Sequence, residues 1–307
     1  MTTVGVIGLG KMGLPIARNL LDRDFTVVGY RRTASDELDL AGGRMVGSPA
    51  EVASLSDVLL SILPDTAALE DVVLGASGTL AGLRPGTVHI EMSTLDVEQK
   101  SRIRDRVVSA GGDLLDCPIS GTPMMVGPRA ATTFVSGDPS SIERVRPVLE
   151  AISGPWVVAG AFGNGARLKY IAQLLVAVHT AATAEAMLLA HRSGLDLELV
   201  QRTLNGSIAS STIWERRGPL MQTRQWTPAP GPIATLHLIL EQIEAHAADT
   251  AVGLPVFGAA KDLFDRALAA GWGDLDIAAV YDQLSHQDPF AAEPVSGQDA
   301  RTAGARS

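Results

Sequence analysis

The chain has 307 residues, 46% of them hydrophobic but only 4% aromatic, and a formal net charge of −9. That length accommodates two domains with cores of their own, and the negative charge argues against nucleic acid, whose phosphates require a basic surface. One cysteine, Cys117, excludes an internal disulfide and fits a reducing, cytoplasmic setting.

No basic segment followed by an apolar one opens the chain, so no secretory signal is expected. Thr3–Ile7 reads instead as a buried strand, Gly8-Leu9-Gly10-Lys11-Met12-Gly13 as a turn, and Leu14–Leu21 as a helix. A G-x-G-x-x-G is weak evidence alone, but between a strand and a helix it marks a dinucleotide site. Gly8 permits the tight turn, Gly10 removes the side chain that would block a pyrophosphate, and Gly13 lets helix and strand approach. The anion would lie against the free N–H groups of the helix start. Phe25–Tyr30 follows as a second strand ending in Arg31-Arg32-Thr33. NAD-binding folds usually place an acidic residue there for the ribose hydroxyls, whereas two guanidinium groups and a hydroxyl suit a 2′-phosphate. The pattern predicts NADP(H) over NAD(H).

A short helix is expected near Asp36–Ala41, then a strand over Asp57–Leu63 ending at Pro64-Asp65, where Asp65 can cap a helix over Ala67–Leu74. Thr87–Glu91 reads as a strand and Val97–Ala110 as an amphipathic helix. Short strands at Asp113–Asp116, Thr132–Ser136 and Trp156–Val158 continue the alternation. Such alternation implies an α/β, doubly wound and largely parallel sheet. Ligand-facing loops then sit at strand C-termini. This nominates Leu63 and Pro64 beside the cofactor, and Ser93 and Thr94 as donors to the nicotinamide or the substrate. The same Ser-Thr pair can equally cap the following helix. Further on, Ser120, Gly121 and Thr122 combine hydroxyls with exposed backbone N–H groups suited to a carboxylate; a plain turn explains the glycine as well.

After Gly165 the strands stop. Arg167–Ser193 reads as one helix of about seven turns, ending at Gly194. Helices follow near Asp196–Leu204, Ser211–Met221, Ile233–Val252, Pro255–Ala270 and Asp276–Leu284, with the proline-rich Thr227–Pro232 as a rigid loop. The apolar stretch Ile171–Ala190 is broken by Gln173, His179 and Glu185, which favours a buried helix over a membrane span. Its apolar character on nearly all sides predicts several packing neighbours, hence a homodimer through the helical half. Lys169, early in this helix, opposes the helix dipole. Partial desolvation there would lower its pKa into general acid/base range, although an ordinary solvated lysine is the alternative. Residues 291–307 are small and polar and are expected to be disordered.

In order and spacing, these motifs resemble the β-hydroxyacid dehydrogenases, the family of 3-hydroxyisobutyrate dehydrogenase and tartronate semialdehyde reductase, related to 6-phosphogluconate dehydrogenase. The likeness covers about residues 3–285. It rests on Gly8–Gly13 with Ala17-Arg18-Asn19-Leu20, Met92-Ser93-Thr94, Asp116–Gly121, Gly163-Asn164-Gly165 before Lys169, and Gly271–Asp276. The resemblance implies a Rossmann-type NADP-binding domain over 1–163 and an all-α substrate and dimerisation domain over 164–290, with 164–193 as an interdomain helix. It implies reversible hydride transfer between the cofactor and a small β-hydroxy acid, without a metal. Lys169 would be the general acid/base, Ser120 and Gly121 would hold the substrate carboxylate, and Ser93 and Thr94 would lie by the nicotinamide ribose and substrate.

Three departures bear on the substrate. Gln173 stands where the family usually has Asn, and Thr122 where it has a second glycine. The Lys-Asp pair expected about seventy residues after Lys169 is missing from Leu236–Gln242, where His237 and Gln242 are the polar replacements. Lys261-Asp262 lies too far downstream and reads as a solvated face. Two alternatives are an imine reductase-like NADPH-dependent reductase and a non-catalytic nucleotide-binding reader domain. Lys169 counts against the first, and Lys169 with Ser120-Gly121 against the second. Met124, Met125 and Trp214 read as a pocket wall or, more simply, as core or dimer contacts.

Overall fold

The computed structural model describes residues 2–33 and 35–287, so the tail expected to be disordered lies outside the described residues. β1 (Thr3–Ile7) feeds the glycine turn and α1 (Gly13–Leu21), and β2 (Thr26–Tyr30) returns parallel to β1. α2 (Glu37–Leu40), β3 (Arg44–Met45) and α3 (Pro49–Leu55) lead to β4 (Val58–Ser61), which pairs with the other side of β1. α4 (Thr66–Leu74) and α5 (Thr79–Gly82) precede β5 (Val88–Glu91); α6 (Val97–Ser109) precedes β6 (Asp113–Asp116). β7 (Ile119–Ser120), α7 (Pro123–Val126), β8 (Thr132–Ser136), α8 (Pro139–Ile152) and β9 (Trp156–Gly160) complete the sheet.

The nine strands run in the order β3-β2-β1-β4-β5-β6-β8-β7, with β9 on β8. β1 to β6 are parallel, whereas β8 is antiparallel to both β6 and β7. The order reverses between β1 and β4, where a doubly wound sheet opens its ligand crevice. Both faces are covered, as parallel strands require. Val4, Val6 and Ile90 pack with Ile16 and Leu20 on one side; Ile7, Leu59 and Leu114 pack with Val52, Leu69 and Ile103 on the other. Each such side chain contributes roughly 1.5–3 kcal/mol on burial.

Asp65 caps α4 as expected, its Oδ1 accepting from Ala68 N at 2.7 Å. α8 is an element beyond those expected, and its signal was present. Asp138 accepts from Ser140 N and Ser141 N, Pro139 occupies the first turn, and Ile142, Val145 and Leu149 are buried at helical spacing.

α9 (Asn164–Arg192) opens the helical half and stops at Gly194, whose φ is 71° and whose N–H donates to His191 O at 3.1 Å. α10 (Leu197–Leu204), α11 (Thr212–Thr223), α12 (Ile233–Asp249), α13 (Pro255–Ala269), a 3-10 turn (Ile277–Ala279) and α14 (Val280–Gln287) follow. Packing divides the chain into two compact units. One runs to Val176 and takes in Thr235–Leu254; the other comprises Ala177–Ala234 and the chain from Pro255. This division by packing falls inside α9, whose first turns are bonded into the sheet.

In the second unit, buried Asp276 pairs with Arg217 Nε at 3.0 Å and accepts from Gly231 N at 3.0 Å. Trp214 is buried there and its carbonyl accepts from Gln201 Nε2, so it is core rather than pocket wall. Met125 packs on the sheet core, while Met124 is exposed.

α9 is long and apolar enough, by length and composition alone, to cross a membrane. Its buried face, however, carries Lys169, Thr180 and Thr183, which suits protein rather than lipid neighbours. Within one chain only 28% of its most apolar stretch is buried, and Leu168, Ile171 and Leu175 form an exposed row.

Candidate active site

The cofactor end is built by the turn after β1. Gly8 has a φ of 94° and its N–H donates to Tyr30 O at 3.1 Å. A Cβ on Gly8 would stand 2.1 Å from Ile62 O, and one on Gly13 2.1 Å from Gly8 O, but one on Gly10 would meet nothing within 4 Å. Protein packing thus demands the first and third glycines, while the second leaves open space at an exposed position. α1 starts without a side-chain cap and without an acidic residue in its first turn. Open space plus uncapped N–H groups is a cradle that fits a pyrophosphate. Leu9 is buried in the core and can offer only its backbone; Lys11 is exposed and Met12 half-buried.

At the end of β2, Arg31 is half-buried while Arg32 and Thr33 are exposed. Arg31 Nη1 lies 3.2 Å from Glu37 Oε2, an oxygen that also accepts from Ser35 Oγ at 3.1 Å. Glu37 is a neighbour that sequence spacing did not identify. Arg31 keeps further N–H donors for a phosphate.

Leu63 and Pro64 lie at the C-terminal side of β4, and Leu63 N donates to Ser93 Oγ at 2.7 Å. Ser93 is 4% exposed; its N–H donates to Glu91 Oε1 at 2.9 Å, and its hydroxyl also bonds the Glu91 carboxyl. Ser93 thus braces the loop after β4 against the loop after β5. Thr94 is half-buried. Neither residue caps α6, because Asp96 does so, accepting from Gln99 N at 2.8 Å.

Ser120 closes β7 opposite Thr132, and exposed Gly121 follows. A Cβ on Gly121 would come within 2.7 Å of Ala131 Cβ, so this glycine is required by packing whatever binds beside it. Thr122 precedes α7 without a capping bond from its hydroxyl.

Lys169 is 5% exposed, and burial lowers its pKa from 10.5 to about 8. Desolvation is the cause of that shift. Bonds on either side fasten it to the sheet loops. Ala166 N donates to Asp116 Oδ2 at 2.8 Å, and Tyr170 Oη donates to Leu95 O at 2.8 Å. Gln173 is half-buried one turn further along α9. On α12, His237 lies 3.9 Å from Glu241, and Gln242 lines a cavity of about 200 Å³ with Tyr170 and His246 rather than with Lys169. Lys261 pairs with Asp265 at 2.9 Å on α13 and is half-buried, not a freely solvated residue.

Residues 3–160 match the family described as the NAD binding domain of 6-phosphogluconate dehydrogenase, and residues 163–284 the one described as NAD-binding of NADP-dependent 3-hydroxyisobutyrate dehydrogenase. The chain is 32% identical to 2-hydroxy-3-oxopropionate reductase of Escherichia coli, over 92% of this chain and 96% of that protein. It is 30% identical to glyoxylate/succinic semialdehyde reductase 1 of Arabidopsis thaliana, over 92% and 98%. Among solved structures, 3-hydroxyisobutyrate dehydrogenase of Mycobacterium tuberculosis with L-serine superposes with a TM-score of 0.84 at 28% identity, over 92% of this chain and 99% of that one.

Proposed function

The chain belongs to the β-hydroxyacid dehydrogenase family of NAD(P)-dependent oxidoreductases acting on CH–OH groups, and on that premise we propose a finer assignment. The protein interconverts a small β-hydroxy acid and its semialdehyde or keto form, prefers NADP(H), and uses Lys169 as general acid and base. The observation that carries this reading is a lysine buried to 5% exposure with its pKa lowered to about 8, poised for proton transfer near neutrality.

In reduction, the Lys169 ammonium gives its proton to the carbonyl oxygen; in oxidation, the neutral amine takes the proton of the hydroxyl. The nicotinamide, when bound, supplies or accepts the hydride. Gly8, Gly10 and the start of α1 receive the pyrophosphate, and Arg31 with Arg32 the 2′-phosphate. The Ser120-Gly121-Thr122 segment holds the substrate carboxylate, Gln173 offers an amide one turn from Lys169, and Thr94 lies by the ribose.

The test is an assay of the purified protein with NADPH against glyoxylate and succinic semialdehyde, and with NADP⁺ against 3-hydroxyisobutyrate and D-glycerate. Lys169→Ala should lower kcat by roughly 100-fold or more, and a loss under about tenfold would sink the acid/base role. Reduction needs the ammonium, so its kcat falls as pH rises through about 8, while oxidation needs the amine and gains through the same pH. The reading includes a homodimer, supported by the exposed row Leu168, Ile171 and Leu175, which a second copy would bury. Ile171→Asp should convert dimer to monomer in sedimentation equilibrium; an unchanged mass would remove this face from the interface.

A further inference from the structure

Strand register sets a row of polar side chains across the C-terminal end of the sheet, on the face covered by α6. Ser61 stands opposite Glu91, Glu91 opposite Asp116, and Asp116 opposite Ser136. All four are fully buried. Two carboxylates in register on adjacent strands repel, and neither holds a charge in the interior without a partner. Lys100, itself 0% exposed, supplies the partner from α6. Its Nζ contacts the Glu91 carboxylate, lies 2.6 Å from Asp116 Oδ1 and donates to Ser93 O at 2.9 Å. The ammonium thus faces two carboxylates and one backbone carbonyl. Burial alone would depress this lysine, but Asp116 and Glu91 outweigh it and raise its pKa, so the charge is permanent. Glu91 and Asp116 are the charged groups that face it, beside His89, which burial keeps neutral down to about 4.

From this ammonium, bonds reach the loops after β4 and β5, the end of β6 and the start of α9. Glu91 and Lys100 hold Ser93, and Ser93 holds Leu63. Asp116 accepts from Ser136 Oγ at 3.1 Å and from Ala166 N, and Gly165 N donates to the same Ser136 hydroxyl at 3.0 Å. Lys169 follows Ala166 by three residues. Replacing a buried ion pair by well-packed apolar groups is often neutral or stabilising, so bulk stability by itself does not account for a lysine here.

We propose that Lys100 is a positioning residue of the active site. By joining Glu91, Ser93 and Asp116, it holds the Met92–Thr94 loop, the strand leading to Ser120-Gly121 and the first turns of α9 in the arrangement that keeps Lys169 buried. It acts through those residues and touches neither cofactor nor substrate. The inference rests on the acid/base role proposed for Lys169.

The test compares the wild-type protein with Lys100→Met, with Ser136→Ala, and with the charge-balanced double variant Lys100→Met/Glu91→Gln. Each is measured for Tm, NADPH Kd by fluorescence, and kcat, KM and the pH dependence of kcat with glyoxylate and succinic semialdehyde. The double variant removes one positive and one negative charge together, so it and Ser136→Ala decide the matter if Lys100→Met does not fold. The double variant is expected to bind NADPH within about threefold of wild type but to lose roughly tenfold or more in kcat, as misplacement of a reacting group does. Its pH break for reduction should move up from about 8 toward the ordinary lysine range, because a displaced helix start lets water reach Lys169. Ser136→Ala should shift both in the same direction by less. An unchanged kcat and pH break with only a lower Tm would overturn the proposal. Activity retained in Lys169→Ala would instead fail the functional reading itself, whereas activity lost there with wild-type kinetics in the Lys100 variants overturns the positioning role alone.

Discussion

Arg31 Nη1 lies 3.2 Å from Glu37 Oε2, so the 2′-phosphate proposed to bind at the end of β2 would compete with a resident carboxylate. Partly exposed pairs of this kind are worth about 0–1 kcal/mol. Glu37→Gln should therefore tighten NADPH by about two- to fivefold and leave NADH nearly unchanged. Arg31→Ala with Arg32→Ala should weaken NADPH far more than NADH. Calorimetric titration of both cofactors checks each, and equal effects on the two would reject the 2′-phosphate reading. The arginines were legible because they directly follow a recognisable strand. Glu37 was not, since its contact depends on how α2 turns back toward Arg31. Lys169 was legible as a position, but its desolvation came from packing that no local spacing encodes.

Among elements, two glycines separate folding from binding. A methyl on Gly165, at the start of α9, would stand 2.6 Å from Phe134 O and 2.7 Å from Asp116 O, backbone atoms with little freedom to yield. Gly165→Ala should cost about 1–3 kcal/mol or more, seen as a lower calorimetric Tm, and should lower kcat because Lys169 moves with the helix. Gly10→Ala meets nothing within 4 Å of the new methyl, so its stability should stay within about 0.5 kcal/mol of wild type. Its NADPH affinity should still fall, because the methyl enters the pyrophosphate cradle; an unchanged Kd would remove Gly10 from the site. The first α/β units were read from glycine, cap and alternation. The buried lysine on the apolar stripe of α6, in line with Ile103 and Val107, was the one signal there that pointed to the carboxylates of β5 and β6.

For the whole molecule, His89 makes stability sensitive to acid. Its ring is fully buried with Nε2 2.8 Å from Ser61 Oγ, and burial together with the Lys100 charge lowers its pKa from 6.5 to about 4. Between those values the unfolded chain takes up a proton that the folded protein refuses, so stability falls as pH drops through this window. The loss from pH 7 to pH 5 comes to about 2 kcal/mol. Urea titrations over that range should show the wild-type protein losing about 2 kcal/mol more than His89→Gln. Equal losses would assign the acid sensitivity elsewhere. Glu91, whose pKa burial raises, acts in the opposite direction and is common to both proteins. The sequence by itself determined the strand–turn–helix order, the dinucleotide turn, the paired arginines and the place of Lys169, because each depends on residues close together in the chain. Only the tertiary structure decided that Ser93 turns inward, that packing divides the chain within α9, and that Glu91, Lys100, Asp116 and Ala166 form one network. Register and burial bring those distant residues together, and the low-dielectric interior gives their charges weight that no linear spacing conveys.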